Sequence, residues 1–95
     1  MYARVHFMNT QPQKRDEVTQ FIRETVLPSA REWQGFKGYL ALLDPHTGKS
    51  MAIALWETED DLRASAASNA PLIAEAARFL DSAPTQEVYE VLVHE

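Results

Sequence analysis

The chain has 95 residues, of which 45% are hydrophobic and 24% charged, and its net charge is −5. These values are typical of one globular domain spanning residues 1–95, and they exclude a disordered chain. An acidic protein has no general electrostatic attraction to nucleic acid or to an anionic membrane surface. A chain without cysteine has neither disulfides nor thiolate chemistry.

The N-terminal stretch MYARVHFMNT lacks the long apolar segment of a secretory signal peptide. No apolar run approaches the roughly 20 residues that a membrane-spanning helix requires. We therefore expect a cytoplasmic protein whose partners include neither a membrane nor nucleic acid.

Residues 2–9 alternate between two kinds of side chain, a pattern of period two that predicts a β-strand. Pro12 favours the start of a helix, because the first helical N–H has no partner in any case. An apolar stripe continues this helix towards Pro28, where we expect a kink or a break. Gly35 is expected to end the short helical piece that follows.

Residues 36–44 and 50–57 predict two strands joined by a hairpin loop, in which Gly48 supplies a positive φ. Thr58 and the three acids after it are typical of a helix N-cap and first turn. Asn69 is expected to cap a new helix after an interruption at residues 69–71.

Residues 85–94 alternate again and predict the last strand, which completes the order βαββαβ. With right-handed crossovers, this order gives a four-stranded antiparallel sheet with both helical regions on one face. The predicted fold class is α+β, in the form of a ferredoxin-like plait.

Both faces of the predicted hairpin are apolar. Tyr39 and Ala41 point one way, whereas Leu40 and Leu42 point the other. If helices cover one face, the other exposes several large side chains, and burying each contributes about 1.5–3 kcal/mol. A large exposed apolar patch usually marks an association surface. We therefore expect a homodimer in which two sheets pack face to face.

Three stretches of the sequence resemble a known family. They are Leu27-Pro28, GFKGYLALLD (residues 35–44) and ALWETEDDLRA (residues 54–64). The chain resembles the antibiotic biosynthesis monooxygenase (ABM) domains of the dimeric α+β-barrel superfamily over essentially its whole length. The resemblance implies a homodimeric barrel with a pocket for a small apolar or aromatic molecule in each subunit. It also implies cofactor-free oxygenases, quinol oxidases or haem-degrading enzymes among the relatives.

Trp56 and Asn9 are the predicted catalytic residues. Trp56 either fills the core or walls a pocket, and Ala52 and Ala54 beside it leave room for a flat ligand. Asn9 either turns the chain or, as the resemblance implies, donates a hydrogen bond to substrate. Cofactor-free oxygenation needs a phenolate or enolate, which neutral N–H donors such as these can stabilise.

Further residues are assigned to substrate binding or to structure. Arg4 and His6 are expected on the face that meets the partner subunit. There they form a polar contact, for instance with Glu90, unless His6 acts as a base. The predicted substrate-binding residues are Tyr39, Ala52, Ala54, Ser65 and Phe79.

No metal site and no cofactor are expected, because the three histidines are scattered along the sequence. The haem-degrading relatives carry a histidine ligand on the second helical region, and residues 59–80 contain none. The predicted function is a cofactor-independent monooxygenase of a small phenol or quinol. The alternative is a non-catalytic homodimer that binds a small molecule or has a structural role.

Overall fold

The computed structural model describes all residues from 1 to 95. Its elements follow the predicted order βαββαβ, in which each helical region consists of several segments. The strands are β1 (Tyr2–Asn9), β2 (Phe36–Leu43), β3 (Lys49–Trp56) and β4 (Thr85–Glu90). The helices are α1 (Arg15–Phe21), α2 (Leu27–Ala30), α3 (Glu59–Ala64) and α4 (Ala66–Ala76), with 3-10 turns at Pro12–Lys14 and Ala77–Phe79.

The four strands form one antiparallel sheet in the order β2-β3-β1-β4. The helical segments cover one face of this sheet, which is the ferredoxin-like plait, and the predicted fold class is confirmed. The last strand ends at Glu90, earlier than the alternating pattern to residue 94 predicted. Since β1 and β3 are the central strands, their side chains form the centre of the layer between the sheet and the helices.

The first helical region is not broken at Pro28. It runs from Arg15 to Ala30 through a π-helical segment, Ile22–Val26, that joins α1 to α2. The N–H of Leu27 donates to the carbonyl of Ile22, five residues earlier. Pro28 has no N–H to donate, and a widened turn just before it accommodates that loss without ending the helix.

The second helical region starts where the sequence predicted and is interrupted elsewhere. The side chain of Thr58 accepts a hydrogen bond from the N–H of Asp61 at 3.0 Å, which confirms the N-cap. The interruption lies at Ser65, between α3 and α4, so the predicted break at residues 69–71 is wrong. Pro71 lies inside α4 on an exposed side, where solvent can satisfy the carbonyl that loses its partner.

The strand register determines which residues the helices cover. Arg4 pairs with Ala54 and His6 with Ala52, and directly paired residues point to the same side of a sheet. Arg4 Nη2 donates to the carbonyl of Leu62 in α3 at 2.6 Å, so this side faces the helices. The prediction that Arg4 and His6 face a partner subunit is therefore wrong. It assumed that the more apolar face of β1 packs on the helices.

The other face of the sheet is open and apolar. Phe7, Leu40, Leu42 and Tyr89 are 38%, 54%, 45% and 48% exposed on it, although each is a large apolar or aromatic residue. The predicted apolar character of both hairpin faces is thus confirmed. None of the helices has the length and apolar character needed to cross a membrane.

Candidate functional site

A cavity of about 190 Å³ lies between the helix-covered face of the sheet and the helices. Of its 29 lining residues, 21 are hydrophobic, and none is an aspartate or glutamate. Apolar walls with a few polar groups are typical of small-molecule sites. The sheet contributes Arg4, His6, Tyr39, Ala52, Ala54 and Trp56, and the helical side contributes Phe21, Ile22, Trp33, Ile73 and Phe79.

The volume of the cavity comes from small side chains in the sheet. Ala54 lies between Arg4 on β1 and Tyr39 on β2, and Ala52 lies between His6 and Ala41. A methyl side chain at the centre of each row leaves space that a leucine or phenylalanine would fill. The π-helical turn adds to the opposite wall, because Ile22 and Val26 at its two ends both line the cavity.

Trp56 lines the cavity and is the most deeply buried large side chain, at 1% exposure. Its ring stacks on Trp33, with centroids 6.2 Å apart and planes within 11°. Phe36 meets it edge-on at 5.6 Å. The guanidinium carbon of Arg4 lies 5.8 Å from its ring centroid. These contacts fix the indole in one orientation.

Two buried side-chain nitrogens in the protein have no hydrogen-bond partner, and both belong to residues that line this cavity. They are Trp56 Nε1 and His6 Nε2. Leaving a buried polar atom unpaired costs about 1–3 kcal/mol, so such atoms are rare and need an explanation. A ligand that occupies the cavity can supply the missing partners.

His6 is held in its neutral form. Burial lowers its pKa below the usual 6.5, and the positive charge of Arg4 lowers it further. A hydrogen bond with Gln86, the residue opposite it on β4, acts in the reverse direction. A neutral imidazole has one nitrogen that can accept a proton, which is the requirement for a general base.

Arg4 brings a positive charge to the cavity wall. Its side chain is buried, and burial lowers its pKa, yet a guanidinium remains charged at any physiological pH. It forms no ion pair within the protein, including with Glu90, the partner predicted from the sequence. The charge is therefore available to an anion in the cavity.

Tyr39 is a hydrogen-bond donor at neutral pH. Burial raises the pKa of its phenol to about 12, so the O–H stays protonated. Tyr39 lies opposite Ala54 on β3, as the sequence predicted from the shared face of the hairpin. It can stabilise an anionic oxygen but cannot remove a proton from a substrate.

Five of the predicted site residues line the cavity together. They are Tyr39, Ala52, Ala54, Trp56 and Phe79. Phe79 packs against Phe21 at 5.6 Å, and Arg78 lies over both rings on the outside of this pair. The sequence pattern thus identified five residues that line the cavity. The roles of these residues in binding or catalysis stay predictions.

Asn9 does not join them. It pairs with Lys49 at one end of β1, whereas Trp56 pairs with Tyr2 at the other end. From Tyr2 to Asn9 the strand advances by seven residues, which places the two ends of β1 about 23 Å apart. Asn9 also belongs to the open face with Phe7, and its carbonyl accepts the N–H of Asp81 at 2.9 Å. The structure therefore does not form the predicted donor pair of Asn9 and Trp56.

Ser65 lies outside the cavity as well. Its hydroxyl donates to the carbonyl of Leu62 at 2.6 Å, the same carbonyl that Arg4 bonds. Ser65 is buried at the junction of α3 and α4, so its hydroxyl satisfies the end of a helix. Asn69, one turn further along α4, lines the cavity, although its predicted role was mainly that of a helix cap.

The sequence analysis missed Arg4 and His6 as cavity residues. A signal was present, because Tyr2, Arg4, His6 and Met8 share one face of β1, and three of these four side chains carry polar groups. The assumption that an apolar face always packs on helices concealed it. No three His, Asp or Glu side chains lie close enough together to hold a metal ion.

No protein-family model matches the chain. A relative in Mycobacterium tuberculosis strain H37Rv, the uncharacterized protein Rv2558, is 34% identical over 95 residues. The match covers 99% of this chain but 40% of the relative. The chain thus spans less than half the length of the curated relatives it matches.

The structure is similar to that of the ActVA-Orf6 monooxygenase of Streptomyces coelicolor, solved with nanaomycin D. The TM-score is 0.80 at 16% identity, covering 99% of this chain and 89% of the other. It is also similar to SnoaB, a cofactor-independent oxygenase of Streptomyces nogalater, solved as a mutant. There the TM-score is 0.73 at 17% identity, covering 98% and 94%. The predicted resemblance to ABM domains is confirmed in fold.

Proposed function

We propose that this chain, which has the ABM fold, is an oxygenase of a small phenol or quinol that uses dioxygen without a tightly held cofactor. One observation carries the proposal. The two unpaired buried nitrogens, His6 Nε2 and Trp56 Nε1, belong to residues lining the same apolar cavity. A phenol can supply a partner to either nitrogen, because its oxygen accepts from an indole N–H and its proton can pass to an imidazole.

The reaction balances without an external reductant. A phenol with a free para carbon combines with one dioxygen molecule to give a quinone and one water. The phenolate passes an electron to dioxygen, and the two radicals join at the para carbon as a peroxide. Loss of water from that peroxide leaves the second carbonyl, so the substrate itself supplies all the electrons.

Each polar residue of the cavity has a role in this sequence of steps. Neutral His6 takes the phenol proton and returns it to the peroxide. Arg4, Trp56 and Tyr39 stabilise the phenolate, the first by its charge and the others as neutral donors. The apolar walls exclude water, which strengthens these interactions and protects the radical pair.

A second candidate function has support from the same cavity. An apolar volume with few polar groups can hold an aromatic molecule without reacting with it, and the protein is then a binding protein. The candidates differ over His6. A binding protein needs no base, whereas the oxygenase loses its first step when His6 is replaced.

The proposal includes a homodimer formed through the open face of the sheet. Leu40 and Leu42 on β2, Phe7 on β1 and Tyr89 on β4 are exposed there as one apolar surface. About half of each side chain is still exposed, so burying the four contributes roughly 3–6 kcal/mol per chain, and the two chains of a dimer together reach the net stability of a small domain. A second copy of the same face is a matched partner for it.

The experiment compares product formation from a panel of phenols with a free para carbon in air and under nitrogen. We expect quinone formation that requires oxygen and exceeds the protein-free rate. His6→Gln should reduce the rate about 10²-fold or more, whereas His46→Gln, in an exposed loop, should not. Binding without oxygen-dependent product would favour the binding protein, and equal rates in the two variants would contradict the role of His6 as the base.

A further inference from the structure

The buried guanidinium of Arg4 is the feature of the cavity that a simple phenol does not account for. Its side chain is 2% exposed, and it forms no ion pair. Its hydrogen bond to the protein runs from Nη2 to the carbonyl of Leu62. A guanidinium has five N–H donors, so most of its capacity is unused by this contact.

The surroundings of Arg4 do not compensate its charge. The protein as a whole carries a net charge of −5, yet no aspartate or glutamate lines the cavity. The carbonyl at the end of α3 and the face of Trp56 are the groups that attract it. Burying a charge is costly unless an opposite charge accompanies it, so an anion in the cavity would be favoured.

The size and shape of the cavity limit what that anion can be. An engineered apolar cavity of about 150 Å³ in another protein binds benzene. The volume here, about 190 Å³, accommodates one aromatic ring with one or two small substituents. The flat rings of Trp33, Trp56 and Tyr39 in its walls favour a planar ligand.

We propose that the cavity binds a single-ring aromatic carboxylate, of the hydroxybenzoate class, whose carboxylate pairs with Arg4. The ring lies between the aromatic walls, and its hydroxyl is left for His6 Nε2 or Trp56 Nε1. This inference rests on the proposed function of the same cavity and names its substrate class. It concerns binding, so it can hold or fail independently of oxygen chemistry.

The test uses pairs of ligands of nearly the same size and shape, of which one is an anion and the other a neutral amide. The ortho, meta and para isomers of hydroxybenzoate are compared with the corresponding hydroxybenzamides at neutral pH, by calorimetry and by tryptophan fluorescence. Both tryptophans of the chain line the cavity, so quenching reports on this site. We expect the best hydroxybenzoate to bind about tenfold or more tightly than its amide, because ionic hydrogen bonds are the stronger ones.

Arginine variants test whether Arg4 causes the preference for the carboxylate over the amide. Arg4→Met should remove it while leaving the affinity for the amide within about threefold. Arg4→Lys keeps the charge without the planar fork and should retain part of it. Arg31→Met, at an exposed position outside the cavity, should retain all of it.

The wild-type comparison decides the matter even if Arg4→Met does not fold. Equal binding of acid and amide, or no binding of any isomer at millimolar concentration, would assign Arg4 to the end of α3 alone. A preference that survives in a folded Arg4→Met protein would overturn the inference too. Binding of the ortho or meta isomer, whose para carbon is free, without its oxygenation would contradict the proposed function and leave this inference standing.

Discussion

Trp56 has two roles in the structure that its sequence position only suggested. Its ring is fixed by Trp33, Phe36 and Arg4, which makes it a core residue. Its Nε1 is left without a protein partner in a residue that borders the cavity, which makes it a candidate donor to a ligand. A core tryptophan normally donates its N–H to a carbonyl, and Trp56 does not. A substitution that keeps an aromatic ring and removes the N–H therefore separates the packing role from the role as a donor.

Replacing Trp56 by phenylalanine tests that separation. The smaller ring keeps most of the stacking, so we expect a loss of about 1–2 kcal/mol in the free energy of unfolding. Removing the N–H should lower kcat about 10²-fold, as for the loss of one preorganised donor. Urea unfolding and steady-state kinetics measure the two effects.

Trp33→Phe is the matched comparison, because Trp33 is the stacking partner and its Nε1 is not an unpaired buried atom. It should cost similar stability and affect kcat less. If both variants lower kcat equally, the indole of Trp56 acts through packing rather than through its N–H.

His6 predicts a pH dependence of stability. The pKa of His6 in the folded protein lies below 6.5, its ordinary value in an unfolded chain. At a pH between the folded and the unfolded pKa, the unfolded chain therefore binds more protons than the folded protein. The contribution of neutral His6 is therefore complete above pH ~6.5 and is lost as the pH falls towards the folded pKa, by at most ~1.4 kcal/mol per pH unit. Burial is the largest cause of this lowered pKa, the positive charge of Arg4 lowers it further, and a hydrogen bond with Gln86 opposes both.

Urea unfolding across this range measures the effect. His6→Gln should flatten the dependence, and His46→Gln should leave it as in the wild type. A dependence that His6→Gln does not change would show that other groups produce it.

The residue scale was also where sequence reasoning was least complete. Alternation placed Tyr39, Ala52, Ala54 and Trp56 on one face, and the register confirms it. Alternation within one strand does not say which face meets the helices, and that choice decided the fate of Arg4, His6 and Asn9. A polar residue in a cavity and a polar residue at a surface produce the same pattern.

At the scale of elements, short-range chemistry was predictable and the response to proline was not. The Thr58 cap and the positive φ of Gly48 follow from local rules, and both occur. Pro28 and Pro71 obey the rule that proline removes a hydrogen bond, yet neither ends its helix. Whether a helix breaks at a proline depends on the contacts between that helix and the rest of the fold. A rule about local sequence does not include those contacts.

Gly48 allows the element scale to be tested. Its φ is +82°, and a Cβ there would overlap the carbonyl oxygen of Thr10. Gly48→Ala should therefore lower the free energy of unfolding by about 1–3 kcal/mol. At Gly38 a Cβ would meet only Leu55 Cδ1, at an ordinary 3.7 Å.

Gly38→Ala is the control and should change stability by no more than about 0.5 kcal/mol. Thermal melts and urea titrations compare the two variants. Equal effects would mean that neither backbone strain nor the Thr10 contact operates at the hairpin loop.

At the scale of the whole molecule, the topology could be predicted because few arrangements satisfy the order βαββαβ. Short connections and right-handed crossovers leave the observed strand order as the natural solution. The two apolar faces of the hairpin could also be predicted, because the alternation of side chains along each strand assigns every residue to one of two faces. What covers the open face is a question about a second molecule.

The proposed dimer gives a prediction at this scale. Leu40→Asp combined with Leu42→Asp places two charges in the open face, so we expect sedimentation to change from a dimer to a monomer. The control is Leu92→Asp, since Leu92 is exposed beyond the end of β4. A wild-type protein that sediments as a monomer at micromolar concentration would contradict the proposal.

The most direct test of the oxygenase is the fate of labelled dioxygen. The phenol that is converted fastest is incubated with the protein under ¹⁸O₂, and the quinone is analysed by mass spectrometry. The proposed reaction places one ¹⁸O atom in the quinone and the other in water. A quinone without label, or no phenol converted at all, would contradict it.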